Sequence, residues 1–457
     1  MTIHVFAGPT IDTPGIRRIL PDAACHPPAQ HGDLLRLGLA AADQVLIIDG
    51  LWHQVAPLRH KEILHALAAG VTVVGAASMG ALRAAELAPY GMVGIGQVFD
   101  AYASGALDAD DEVAVLHTPE GQKVTEALVN LRCAIDRAAS SGKVSSSDAA
   151  ALVDLARSLP YTRRSWPALG RAAQKANMES AFYAANTWRQ ANPYDLKRED
   201  AESALTLLSQ GLPSPTAGAR WRGERWQTSF VRYWTASFQP GAGRIPMLAQ
   251  LQHQQLYDAG FAARWRARVL AAISGSPTGL PPEVVEKAAL DTAGQAGTTL
   301  ANLSLAQRAH WLAPAEEQLE PDEAMLRIMV RSARLDGAWN VWPATHAEAA
   351  RLLDPDIGTA QLVEDAFRVN DAAQADNPRH TPTHLDSGRI TAHLLSHWTL
   401  PADAGQAARD AAARDRAFRD FAGAVEVARA FYLGARAAET NAVSADSSGS
   451  VADSLRT

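Results

Sequence analysis

Cysteine is scarce in this chain: two in 457 residues, Cys25 and Cys133. They lie far apart and outside any C-x-x-C or Cys–His spacing. That excludes a disulfide framework and a cysteine-built zinc site, and it fits a reducing cytoplasm. Each reads as a small core residue, with a lone thiol nucleophile as the alternative. Long apolar runs are missing too. No stretch reaches the roughly 18 apolar residues of a membrane-spanning helix. The N-terminal MTIHVFA lacks the basic start and long apolar core of a signal peptide, and it reads as a first strand. Positive charge is not in excess: 42 Lys and Arg against 49 Asp and Glu leave a net charge of -7, which argues against a nucleic-acid-binding surface. No P-loop or GxGxxG occurs. A nucleotide-binding module built on Gly8-Pro9 and Gly94-Ile95-Gly96 is therefore the weakest of the functional readings, and no cofactor or metal is expected.

What is present divides the chain. A length of 457 residues calls for two or more cores. Up to about Ser158, strand-like and helix-like patterns alternate, as in an open, mostly parallel α/β sheet of Rossmann or flavodoxin type. Strands are expected at 3–7, at the proline-bearing edge piece 23–28, at 44–49 and 71–74, with a further one at 113–116. Helices are expected at 16–20, 32–41, 58–69, 97–103, 123–139 and up to 158. The glycines of 90–96 exclude a helix interior there. From about Ala176 strand signals nearly vanish. Trp188, Trp221, Trp226, Trp234 and Trp265 lie in amphipathic helical runs, read as core. The expected organisation is an α/β domain over 1–160, an all-α region over 176–440 with a possible junction at 274–282, and a disordered, Ser/Ala/Asp-rich tail over 441–457.

The densest chemistry lies in GAASMGALRAAEL, Gly75–Leu87. A serine between small residues, two before a glycine, on a strand-to-helix turn, resembles a nucleophile elbow, although Ala76 stands where G-x-S-x-G has glycine. The following helix offers free N–H groups and a positive dipole end to a developing oxyanion. Ser78 is thus a nucleophile candidate, or simply an N-cap. In an open α/β sheet, ligands bind beyond the carboxyl ends of strands. Gly8-Pro9, Pro27-Pro28, Asp49-Gly50 and Ser78 all sit at such ends, so Asp49 and Ser78 are read as one site. His60 and Lys61 are base candidates; the alternative is a solvated helix face with a Lys61–Glu62 contact. Gly8, Pro9, Met79, Gly80, Arg83 and Glu86 are the substrate-binding candidates, with Arg83 either holding an anion or pairing with Glu86. Asp110, Asp111 and Glu112 form an acidic cluster open to Mg²⁺ or a basic partner, or a solvated loop. His380 and His384, and His393 and His397 four apart, lack the companions of a metal site.

Taken together, FAGPT at Phe6–Thr10, Pro27-Pro28-Ala29 with Gly32-Asp33, Ile48-Asp49-Gly50, HKEIL at His60–Leu64, GAASMGALRAAEL, Tyr90-Gly91-Met92, Gly94-Ile95-Gly96 and DDEVA at Asp110–Ala114 resemble, in order and spacing, the TfuA family. The resemblance implies a partner of a YcaO enzyme, which activates peptide backbone amides with ATP, in thioamide formation on ribosomally made peptides. It implies release of sulfide from a thiocarboxylated ThiS-like carrier and help in engaging the precursor peptide. Thiocarboxylate cleavage needs a nucleophile or activated water and a stabilised oxyanion, roles that Ser78, Asp49, His60 and Lys61 are placed to fill. A non-catalytic recruiting subunit is the competing reading.

Overall fold

The computed structural model describes residues 1–53, 55–118, 120–211, 228–241, 244–277, 279–335 and 350–440. The expected tail 441–457, Trp221 and Trp226 lie outside the described residues. The chain forms two compact units, Met1–Arg225 and Trp226–Thr457.

The first unit is built on five strands: β1 (Ile3–Phe6), β2 (Ala24–His26), β3 (Gln44–Ile47), β4 (Thr72–Ala76) and β5 (Val93–Ile95). All neighbours pair in parallel, in the order β2-β1-β3-β4-β5. This is the flavodoxin-like order, in which the chain reverses direction across the sheet between β1 and β3. The strands alternate α1 (Thr13–Ile19), α2 (Asp33–Arg36), α3 (His60–Ala68), α4 (Met79–Leu87) and α5 (Gln97–Ala103). The central strands read as apolar runs because both faces are covered. On one face Leu46, Ile48, Val74 and Ala76 pack with Ile16 of α1 and with Ala201, Ala204 and Leu205. The last three belong to a much later helix, α10 (Leu196–Gln210). On the other face Val45, Ile47 and Val73 pack with Ile63, Met79 and Leu87 of α3 and α4.

The chain then continues through α6 (Leu128–Ser140), α7 (Ser146–Ser158), α8 (Trp166–Lys175) and α9 (Glu179–Ala191), which bury a core of their own around Leu131, Leu152, Leu169 and Phe182. It returns to the sheet as α10 (Leu196–Gln210). The change of pattern at Ala176 is therefore a change of secondary structure inside the first unit, whose sheet is completed by a helix that follows it.

Two local expectations are corrected, at 113–116 and 32–41, and one strand was not foreseen. Residues 113–116 form no strand: the Leu116 N–H donates to Thr125 Oγ1 at 2.7 Å and Val113 packs with Leu82 and Val98, so its apolar run caps a small core as a loop. Residues 93–95 are a strand that glycine concealed. A Cβ at Gly94 would fall 2.0 Å from the Phe99 ring, so the missing side chain is what lets α5 fold back on β5. The helix expected over 32–41 shrinks to the four residues of α2.

The second unit is helical in its described residues. Helix Phe261–Ser274 places Phe261, Trp265 and Val269 against Val285 and Ala289 of Pro282–Gln295 and against Met325 and Met329 of Pro321–Ser332. One core thus spans both sides of 274–282. Among the described residues no helix is long and apolar enough to cross a membrane.

Candidate functional site at the strand carboxyl ends

Asp49 lies two residues past the buried end of β3 and is 2% exposed. Its Oδ2 accepts from the Gly8 N–H at 2.9 Å and the Thr10 N–H at 3.0 Å, and its Oδ1 from the Thr10 hydroxyl at 2.7 Å. The carboxylate thereby closes the Gly8-Pro9-Thr10 turn after β1 onto β3, at the point where the sheet reverses. A second buried charge faces it. Lys197, in the first turn of α10 and 4% exposed, holds Nζ 3.9 Å from Asp49 Oδ1 and donates to the Val113 carbonyl at 3.0 Å. Burial pushes the Lys197 amine below the ordinary lysine range, against the raising pull of Asp49 and Asp195.

Ser78 stands at the neighbouring strand end. Ala77 before it has a φ of +66°, and the Ser78 N–H donates to Ala76 O at 2.7 Å. That is a γ-turn of the strained, positive-φ kind. It makes the reversal that the small residues of 75–78 permit. Ser78 occupies the N-cap position of α4, yet its side chain caps nothing. The hydroxyl makes no hydrogen bond to a described residue, although Ser78 is only 6% exposed. This departs from an ordinary N-cap, whose side chain accepts from the first turn.

Met79 and Gly80 are packing residues. Met79 is fully buried, and a Cβ at Gly50 would meet its Sδ at 2.1 Å. A Cβ on Gly80 would fall 1.7 Å from the Ile47 carbonyl, and the Gly80 N–H donates to Ile48 O at 3.2 Å. Only glycine lets α4 sit this close to β3.

His60, at the start of α3, meets α4. Its Nε2 lies 2.7 Å from Glu86 Oε2, and Arg83 Nη1 donates to the same oxygen at 2.7 Å. Burial alone would raise the Glu86 carboxyl; the His60 and Arg83 hydrogen bonds outweigh it and hold the group below its ordinary range. Lys61 follows on the same helix, half-buried. Glu62 is not on a solvated face: it is 1% exposed, pairs with His31 and accepts from the Gly32 N–H at 2.8 Å, fixing the loop after β2.

The acidic residues 110–112 form a 3₁₀ turn. Arg164 binds Asp111 at 2.8 Å and Arg132 binds Glu112 at 2.6 Å, so two of the three carboxylates are already neutralised while Asp110 is exposed. In the second unit His397 Nε2 contacts Tyr257 O at 3.0 Å and His393 Nδ1 lies 3.5 Å from Glu439. Among the described residues no group of three or more His, Cys, Asp or Glu could hold a metal ion.

The topology gathers Gly8, Pro9, Asp49 and Ser78 at one end of the sheet, but hydrogen bonding does not join Asp49, His60 and Ser78 into a triad. Asp49 faces the β1 turn and Lys197; His60 faces Glu86 and Arg83. Two residues at this end were absent from the sequence reading. Lys197 carries no local signal, since only the fold reveals that α10 returns to the sheet. His53, four residues past Asp49, has a φ of +61° and stacks on Tyr161 at 5.6 Å; its place just beyond a strand end was the available cue. Compared with known families, residues 49–165 match the model described as TfuA-like protein. No curated protein matches the chain.

Proposed function

From a TfuA-like segment over residues 49–165, we propose that this chain is the partner of a YcaO enzyme in backbone thioamidation of ribosomally made peptides, releasing sulfide from a thiocarboxylated ThiS-like carrier. The observation that carries the hydrolytic part is the Ser78 hydroxyl: without a hydrogen bond to a described residue, at a strained turn, at the N-terminus of α4. In this reading Ser78 Oγ attacks the thiocarboxylate carbon, and its proton passes to sulfur, which leaves as HS⁻. Water then hydrolyses the Ser78 ester to a carboxylate and restores the hydroxyl. The first step is proton-neutral. The second needs a base, for which His60, oriented by Glu86, and Lys61 are the candidates. The Met79 N–H, with the positive end of the α4 dipole, stabilises the oxyanion, since the Gly80, Ala81 and Leu82 N–H groups donate to Ile48 and Ser78 carbonyls.

One observation favours the alternative, a recruiting subunit. Asp49 and His60 are each committed to partners other than Ser78. Ser78→Ala separates the two readings. The expected result is a loss of thiocarboxylate hydrolysis, measured as sulfide released from the thiocarboxylated carrier, by about 100-fold or more, with YcaO binding intact. Unchanged sulfide release would remove Ser78 as nucleophile and leave the recruiting reading.

A further inference from the structure

We propose that Lys197 is a positioning residue for the strand-end site: it ties α10 to the Asp49 carboxylate and through it sets the Gly8-Pro9-Thr10 turn. The inference rests on the functional reading only for the site's purpose; the linkage itself stands on geometry. Burying two opposite charges costs more than packing apolar groups of similar size. Here neither charge is needed to fill space, since α10 already covers the sheet with Ala201, Ala204, Leu205 and Leu208. The ion pair is not the arrangement stability alone would select.

Lys197 Nζ bridges two segments that share no strand pairing. It donates to the Val113 carbonyl at 3.0 Å and faces Asp49 Oδ1 at 3.9 Å. Asp49 in turn receives the Gly8 and Thr10 N–H groups and the Thr10 hydroxyl. The chain of contacts therefore runs from a helix outside the family-matched segment to the turn at the sheet's switch point. The charges around the amine are Asp49 from the end of β3, Asp195 at the α10 N-cap, and Lys123 and Glu126 from the segment before α6. Lys123 reaches Asp195 at 3.1 Å and Glu126 at 3.2 Å, so those two carboxylates have their own cation. Asp49 alone depends on Lys197.

The test is a pH titration followed by carbon NMR on full-length protein with ¹³C in glycine, threonine and lysine. The expected result in the wild type is one step, below the ordinary lysine range, reported together by the Gly8 and Thr10 carbons and by Lys197 Cε. In Lys197→Met the Gly8 and Thr10 step disappears. In Asp49→Asn Lys197 Cε still titrates while Gly8 and Thr10 no longer follow it. Flat Gly8 and Thr10 carbons in the wild type, which need no variant to observe, would overturn the proposal, as would a step that survives in Lys197→Met. In the sulfide-release assay Lys197→Met is expected to lower kcat about 100-fold with little change in KM, as a site misplaced by about 1 Å does. Absence of sulfide release in the wild type would count against the hydrolase and leave the titration to decide the role of Lys197.

Discussion

Ala77 combines a left-handed backbone conformation with full burial. A non-glycine residue at φ +66° costs on the order of 1–2 kcal/mol, and such strain persists where surrounding structure over-determines it. Because Ala77 is also fully buried, Ala77→Val adds β-branching to a left-handed conformation and volume to a packed core. We expect a loss of about 2–4 kcal/mol, read as a lower denaturation midpoint with unchanged slope. Ala77→Gly should stay within about 1 kcal/mol of the wild type, since relief of strain offsets the entropy of the unfolded glycine. Equal destabilisation by both would show that packing rather than φ sets the constraint. Asp49 is the matching electrostatic case. Asp49→Ala leaves Lys197 buried without its carboxylate and is expected to cost about 3–5 kcal/mol. At this scale the sequence disclosed Ser78 and Asp49, because both follow apolar strands that announce their own ends. It could not disclose whom they bond. Lys197 lies 148 positions after Asp49, and nothing in its helix distinguishes a lysine pointing inward from one in water.

The strand-to-helix unit β4–α4 depends on Gly80 as much as on any apolar residue. Its Cα lies against the Ile47 carbonyl, so Gly80→Ala forces α4 away from β3. A Cβ at 1.7 Å from backbone oxygen cannot be absorbed by a rotamer change. The expected cost is about 3 kcal/mol or more, with faster amide exchange along Gln44–Ile47 and Met79–Leu87; unchanged exchange there would contradict the close approach. Element by element, β1, β3, β4, α3, α4 and α5 were legible because each keeps one periodicity over its length. β5 was not, since Gly94 and Gly96 weaken strand propensity to make room for Phe99 and Asp200. The 113–116 run misled in the opposite direction: it is apolar because Val113 is buried with Leu82 and Val98, and burial does not require a strand.

At the scale of the molecule, two units with separate cores should answer acid differently, and the helical unit holds the groups that make it sensitive. His253 sits 5.1 Å from Tyr257 and 5.6 Å from Phe431; burial, aided by His397, pushes its pKa down to about 4. The folded state then keeps the ring neutral where the unfolded chain takes up a proton. Its contribution is complete above pH 6.5 and is lost as pH falls from there to about 4, a change of up to about 3 kcal/mol. Glu316 continues the decline. Desolvation would raise it, but hydrogen bonds from Arg331, the Ala313 N–H and Arg327 hold it down at about 2, so its contribution is present above about 4.5 and is lost as pH falls towards 2. Arg331 lies between Glu316 and Asp415 with its side chain 1% exposed, which makes this pair a buried anchor rather than a surface contact. Hydrogen exchange read by peptide mass spectrometry on the full chain should therefore show protection in residues 247–274 and 321–332 falling continuously from pH 6.5 downward. His253→Phe should flatten the upper part of that decline and Glu316→Gln the lower part. Glu316→Gln should also cost about 3 kcal/mol at neutral pH, because Arg331 keeps its charge while losing one of its two carboxylates. Burial also pushes His393 below its ordinary value, so the assignment to His253 rests on the variant: a decline between pH 6.5 and 4 that His253→Phe leaves unchanged would refute it.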